Sequence, residues 1–210
     1  MTAYCNIHTH DPSPAGDIAI VNTSPDDPPS DERPQWISVG IHPWHIRHGE
    51  EQWERLERAV DDPRVVAIGE AGLDKPAQTP MDRQLDLFTR QALLAEERHK
   101  PLIIHCVKAS MELIAVKKRL NPAMPWVIHG FRGKGELASQ LVRQGFYLSF
   151  GRYSDALSLA AAWPGRLFLE TDDREACIRE VYRLTASALR LPPEALVPQV
   201  RENVHRVFSI

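Results

Sequence analysis

His8 and His10 stand two apart at the end of the apolar run NIHTH. Alternate residues of a strand share a face, so both imidazoles leave the backbone together. Two imidazoles on one face can share one divalent ion. Other short apolar runs have the same shape. AIGE ends in Glu70, LIIH in His105, WVIH in His129 and LFLETD in Asp172, while SVGIHP carries His42. Each has an ordinary reading taken singly. H-x-H can be two histidines at a turn, Glu70 a structural salt bridge, and His105 or His129 a hydrogen-bonded core histidine. Recurrence at successive strand ends argues for a common purpose. A carboxylate ending an apolar strand is costly to desolvate unless paired or metal-bound, and Glu70 could bridge two ions. Glu170 and Asp172 share a face; Asp172 lies nearer the rim and is the better candidate for ligand and general base. Such donors suit Zn²⁺, Mn²⁺ or Mg²⁺. Their number exceeds what one ion with an open water position needs, and suits two ions about 3.5–4 Å apart. Such a pair activates water and stabilises charge on the attacked group, which is what phosphoester hydrolysis requires.

The elements that must position these residues alternate along the chain. Strands are predicted at 4–9, 17–22, 36–41, 65–70, 102–106, 126–130, 146–150 and 167–171. Helical patterns fall near 50–60, 81–99, 109–120, 134–144, 154–162, 174–190 and 193–208. Near-continuous apolar strands alternating with helices imply βαβ units and a parallel sheet, with functional side chains at the C-terminal strand ends. The expected fold is α/β: a TIM-like (β/α) barrel whose first βα region is truncated or distorted. Only HDPSPAG joins strand 4–9 to strand 17–22, whereas a parallel crossover ordinarily takes a dozen residues or more. That implies either an antiparallel hairpin or a strongly distorted first unit. The Pro/Asp-rich stretch 22–35 reads as a surface loop without a helix. No linker or repeat divides the chain, so 1–210 is taken as one domain.

The 210 residues carry a formal charge of −3, with 43% hydrophobic and 25% charged residues. These are ordinary values for a soluble globular protein. With a pI near 6.3, no long-range basic field announces nucleic acid or an anionic membrane. Three cysteines without a C-x-x-C suit free thiols in a reducing compartment. The start turns polar at once, and no apolar stretch approaches a membrane span. A cytoplasmic protein is expected, with no obligate protein partner evident.

The chain resembles the TatD family of metal-dependent deoxyribonucleases, within the amidohydrolase-like barrels. The resemblance is carried by HTH (8–10), GIHP (40–43), AIGEAGLD (67–74), Q-x₃-F-x₂-Q-x₂-LA (84–95), KPLIIHCVKA (100–109), IHGFRGK (128–134), GFYLSFG (145–151), LFLETDD (167–173) and ENVHRVF (202–208), in family order. It implies that His8, His10 and Asp172 hold one ion, that His105 and His129 hold the other, and that Glu70 bridges them. It further implies a monomeric barrel that hydrolyses DNA, commonly as an exonuclease, with two divalent ions. Three departures stand out. Only 29 residues separate His10 from Gly40, ETD continues as DREACIRE without the usual proline, and Lys75 follows GLD in place of an aromatic.

Further residues flank the strand ends. Lys108 and Arg132 each lie three residues past a histidine and either bind phosphate oxygens or are solvated charges at helix starts. His42 either touches substrate or supports a ligand. Trp44 either stacks a base or packs at the rim. Asp74 is read as ordering a loop, Asp173 as the cap of a helix near Arg174, and Cys106 as facing away from His105. Besides DNA hydrolysis, the same site could serve a small phosphoester, amide or lactone. A non-catalytic metal-binding partner protein is the remaining alternative.

Overall fold

The computed structural model describes residues 3–11, 18–27, 36–47, 49–172 and 177–210. The stretch 28–35, His48, Asp173 and the chain around Arg174 lie outside the described residues. Eight strands follow chain order in one sheet, and among the described residues its ladders run parallel. Contacts divide the chain into two compact units, Met1–Val21 with Val127–Ile210, and Asn22–Trp126.

The first unit contains β1 (Cys5–Thr9) and the start of β2 (Ile18–Thr23). After most of β6 (Trp126–Ile128) come α4 (Gly135–Arg143), β7 (Tyr147–Phe150), α5 (Ala156–Ala162), β8 (Leu167–Leu169), α6 (Ile178–Leu189) and α7 (Pro193–Phe208). Local chemistry sets the helix starts. Asp155 accepts the Ser158 N–H at 3.0 Å as the cap of α5, and α7 opens with proline, whose missing donor costs nothing there. The core packs Ile7, Phe146, Phe150, Phe168 and Tyr182. Each such side chain contributes about 1.5–3 kcal/mol by leaving water. Buried polar side chains grip the backbone. The Tyr182 hydroxyl accepts the Cys5 N–H at 3.1 Å and donates to the Cys5 carbonyl at 3.0 Å. Asn203 donates to the carbonyls of Pro164 and Leu167.

β1 and β2 pair parallel, which removes the hairpin alternative and leaves the distorted unit. The register runs Cys5↔Ile18 and Asn6↔Ala19, then slips to Thr9↔Val21. Such a slip adds local bend and twist to a strand whose connection is short. Among the described residues, no helix lies between β1 and β2 or between β2 and β3.

The second unit contains β3 (Trp36–Val39), a 3₁₀ turn (Pro43–His45), α1 (Gly49–Ala59), β4 (Val65–Asp74), α2 (Met81–Glu97), β5 (Leu102–Val107) and α3 (Ser110–Leu120). Trp126, Phe88, Ile68, Leu102 and Leu56 are fully enclosed here. One expectation is corrected. Glu70 does not end its strand, because β4 runs on to Asp74, pairing Ala71↔Ile104, Gly72↔His105 and Asp74↔Val107. Gly72 permits this continuation, since a Cβ there would stand 1.9 Å from the His105 carbonyl oxygen. At Gly40 a Cβ would meet the Gly69 backbone at 2.7 Å, so strand approach again demands glycine.

Candidate metal centre

Donor residues gather in two clusters, one in each unit. In the first unit the main chain does the positioning. Thr9 and Asp172 form a parallel bridge, in which the Asp172 N–H donates to the His8 carbonyl at 3.1 Å and the His10 N–H to the Asp172 carbonyl at 3.3 Å. The ladder thus extends past β8 and brings Asp172 beside both histidines. Asp172 itself adopts φ 58°, a left-handed conformation that aspartate tolerates better than most residues. Asn6 supports this join: its carbonyl accepts the Thr171 N–H at 3.1 Å and its amide donates to Thr171 Oγ1 at 2.8 Å.

His8 is wholly buried, and His10 is 46% exposed. Asp172 Oδ1 stands 3.6 Å from His8 Nε2 and 4.0 Å from His10 Nε2. These spacings exceed a hydrogen bond. They fit donors spread around one cation, because two ligands at ~2.1 Å and a tetrahedral angle lie about 3.4 Å apart. The His129 ring lies against that of His8, with centroids 4.1 Å apart. His129 Nδ1 is 3.4 Å from Glu170 Oε1, which also accepts the Gly130 N–H at 2.7 Å. Both His8–His10–Asp172 and His129–Glu170–Asp172 offer ligand atoms within 4.8 Å of one another. Glu170 is therefore a site residue that the strand pattern placed on the right face but did not select. Its Oε2 is buried without a hydrogen-bond partner among the described residues, as expected of an oxygen reserved for a cation.

In the second unit, side chains do the positioning. Glu70 Oε1 is 2.8 Å from His105 Nδ1 and 3.2 Å from His42 Nε2. These three also form a candidate ligand group. The Trp44 N–H donates to His42 Nδ1 at 3.1 Å, so the neutral ring carries its proton on Nε2, facing Glu70. Burial pushes the His42 pKa below its ordinary value, while the Glu70 carboxylate acts in the opposite sense. His105 Nε2 lies 3.0 Å from Asp74 Oδ2, which also accepts the Trp44 indole N–H at 2.7 Å. Trp44, His42, Glu70, His105 and Asp74 thus close a ring of hydrogen bonds. Asp74 contacts a candidate ligand directly, rather than serving only a loop.

Backbone anchors hold this ring in place. Asn22 Oδ1 accepts the Glu70 N–H at 2.9 Å. Gln84 accepts the Asp74 N–H at 2.7 Å and donates to the carbonyls of Asp74 and Thr79. Gln91 grips Ile41, accepting its N–H at 2.8 Å and donating to its carbonyl at 3.1 Å. Two glutamines seven apart on one buried face of α2 were the available signal, since a buried amide needs partners. Lys108 is exposed and left-handed, at φ 53°. Arg132 is exposed and lines a pocket of the first unit with Glu170 and Asp172. Cys106 is held as a thiol, its pKa pushed up to about 11 chiefly by burial.

A family model, "TatD related DNase", matches residues 30–209. The chain belongs to the TatD family. A TatD relative from Erwinia billingiae, named a 3'-5' ssDNA/RNA exonuclease, is 30% identical over 83% of this chain and 78% of its own. The human 3'-5' RNA nuclease TATDN2 is 30% identical over 83% of this chain, which spans only 27% of that longer protein. The crystal structure of YJJV, a TatD homologue from Escherichia coli, superposes with a TM-score of 0.84 at 22% identity, covering 99% of this chain and 98% of that one. The fold is thus the TIM-like α/β barrel of TatD proteins.

Proposed function

We propose that this TatD-family chain is a divalent-metal-dependent hydrolase that cleaves phosphodiester bonds in DNA from an end. The observation that carries the reading is a carboxylate set between two histidines in each cluster, Asp172 with His8 and His10, and Glu70 with His42 and His105. The ligand assignment follows the family pattern: His8, His10 and Asp172 for one ion, His105 and His129 for the other, and Glu70 common to both. Two divalent ions held there would supply an activated water at neutral pH and polarise the phosphoester oxygens. Asp172 is assigned the proton shed by the attacking water, and Glu70 fixes the ligands about it. Lys108 and Arg132 are assigned to the phosphate oxygens, and His42 supports Glu70.

The whole chain is proposed to act as one domain, as a monomer in the cytoplasm. No helix among the described residues is long and apolar enough to cross a membrane. The acidic balance of the chain keeps one other substrate class in view, a small phosphodiester. The test is to measure bound metal and the hydrolysis of single-stranded DNA and of bis(p-nitrophenyl) phosphate, before and after EDTA. Activity should vanish with the metal and return with Mn²⁺ or Zn²⁺. Hydrolysis that persists in EDTA would overturn the mechanism, and turnover of the small diester alone would overturn the DNA assignment.

A further inference from the structure

Glu170 follows β8 and is fully buried, yet only one of its carboxylate oxygens is used. Oε1 accepts the Gly130 N–H at 2.7 Å and lies 3.4 Å from His129 Nδ1. Oε2 is buried with no hydrogen-bond partner among the described residues. A buried carboxylate is costly without a partner, and a native one with an idle oxygen points to a bound water or ion. The space beside it has the size of one such body. The pocket bounded by Gly130, Gly151, Glu170, Thr171 and Asp172 encloses about 20 Å³. One water-sized occupant takes at least about 10–15 Å³, so a single ion fits and an organic ligand does not. Arg132 and Arg152 also line the pocket, but among the described residues neither pairs with Glu170, and Arg152 meets Glu180 at 3.2 Å.

Asp172 brings a second carboxylate. Its Oδ1 stands 3.6 and 4.0 Å from His8 and His10, and a carboxylate can bridge two cations through its two oxygens. His129, Glu170 and Asp172 offer ligand atoms within 4.8 Å of one another. We propose that the first unit holds a divalent cation beyond the two assigned above, ligated by Glu170 Oε2 and Asp172 and completed by water. The inference rests on the two-ion reading, which gives Asp172 to the first ion, and adds an ion of different chemistry. Glu170 Oε1 stays with the Gly130 N–H and takes the Nδ1 proton of His129, which orients that ring to ligate its own ion through Nε2. Carboxylates and water suit a hard ion such as Mg²⁺ or Mn²⁺, whereas sets rich in imidazole suit Zn²⁺. The added ion is therefore the weakest held and exchanges while the other two stay in place.

The experiment loads the full chain with two equivalents of Zn²⁺ and then titrates it with Mn²⁺. Free Mn²⁺ is read by electron paramagnetic resonance and bound Zn²⁺ by metal analysis. One Mn²⁺ should bind per chain with no loss of Zn²⁺. Glu170→Gln keeps an oxygen for the Gly130 N–H and replaces Oε2 by an amide nitrogen that cannot ligate. It should weaken Mn²⁺ binding by more than about 100-fold, beyond what loss of an outer support costs, with Zn²⁺ retained. Zn²⁺-loaded wild type that binds no Mn²⁺, or binds it only by releasing Zn²⁺, overturns the proposal whether or not the variant folds. So does equal Mn²⁺ binding by Glu170→Gln. Mn²⁺ binding that appears only in Arg132→Gln would show that this guanidinium completes Glu170 in place of an ion, and overturns it too. These outcomes leave the two-ion reading standing, whereas a wild-type chain that cannot hold two Zn²⁺ sinks that reading instead.

Discussion

The two donor clusters are built by different means. In the first unit, main-chain hydrogen bonds between His8, His10 and Asp172 fix the ligands, and the carboxylate oxygen stands 3.6 and 4.0 Å from the two imidazole nitrogens. In the second, amide side chains from α2 and Asn22 fix the strands, and Glu70 closes to 2.8 and 3.2 Å on its histidines. The first set is spaced for a cation. The second is satisfied by its own hydrogen bonds, which a cation must displace. A preorganised site binds more tightly because less is rearranged. We therefore expect two distinguishable binding events in a metal titration, the tighter one at His8, His10 and Asp172.

The largest effects should come from the carboxylates. Asp172→Asn and Glu70→Gln should each lower kcat about 10²- to 10⁴-fold, the usual range for a residue that manages a proton or its geometry. Their metal titrations should differ. Asp172→Asn should abolish the tight event, whereas Glu70→Gln, which removes a ligand common to both ions, should weaken both events without abolishing the tight one. Calorimetry beside the kinetics checks this, and loss of the same event in both variants would erase the distinction between clusters.

Much of this was legible beforehand, for physical reasons. The strands themselves were legible because buried parallel strands are uniformly apolar, so that His105 or Glu70 stands out against its run, although β5 and β4 both continue past them. The continuation of β4 to Asp74 was not. The apolar run stops at Glu70 and Asp74 reads as ordering a loop, and only the close approach permitted by Gly72 lets AGLD pair. The direction of β2 was also hidden, because the short connection argued against the parallel pairing that the bulge accommodates. The supporting amides were hidden in a different way. Gln84 and Gln91 look like solvated helix residues until burial shows that each holds a backbone segment. Polar residues that grip the backbone leave no period in a sequence, whereas apolar strands do.

An intermediate effect follows from that contrast. Gln84→Leu should destabilise the fold by at least about 2 kcal/mol, because buried groups of Asp74 and Thr79 lose their partner at about 1–3 kcal/mol each. It should also weaken the second metal event about 10- to 100-fold, as loss of an outer support does. Asn6→Leu in the first unit removes a comparable clamp on Thr171. There the bonds Asp172 N–H to His8 and His10 N–H to Asp172 remain, so the tight event should weaken less than about tenfold. Chemical denaturation with metal titration on both variants decides the matter. Equal losses would show that main-chain and side-chain positioning are equivalent here.

The smallest effect tests the exposed edge of the second cluster. Trp44 is 60% exposed, yet its indole N–H donates to Asp74 and its backbone N–H to His42. Trp44→Phe keeps an aromatic ring and the backbone donor but deletes the indole donor. Asp74 Oδ2 would then face only His105 Nε2. One net hydrogen bond is worth about 1 kcal/mol, so the second metal event should weaken by about fivefold. The tight event should not change. Trp44→Phe also separates two roles for the residue, since a stacking role would survive replacement by another aromatic ring while a hydrogen-bonding role would not. Unchanged metal affinity together with an unchanged KM for DNA would leave Trp44 the stacking role. Weakened affinity at constant KM would assign it to Asp74, and through Asp74 to the orientation of His105.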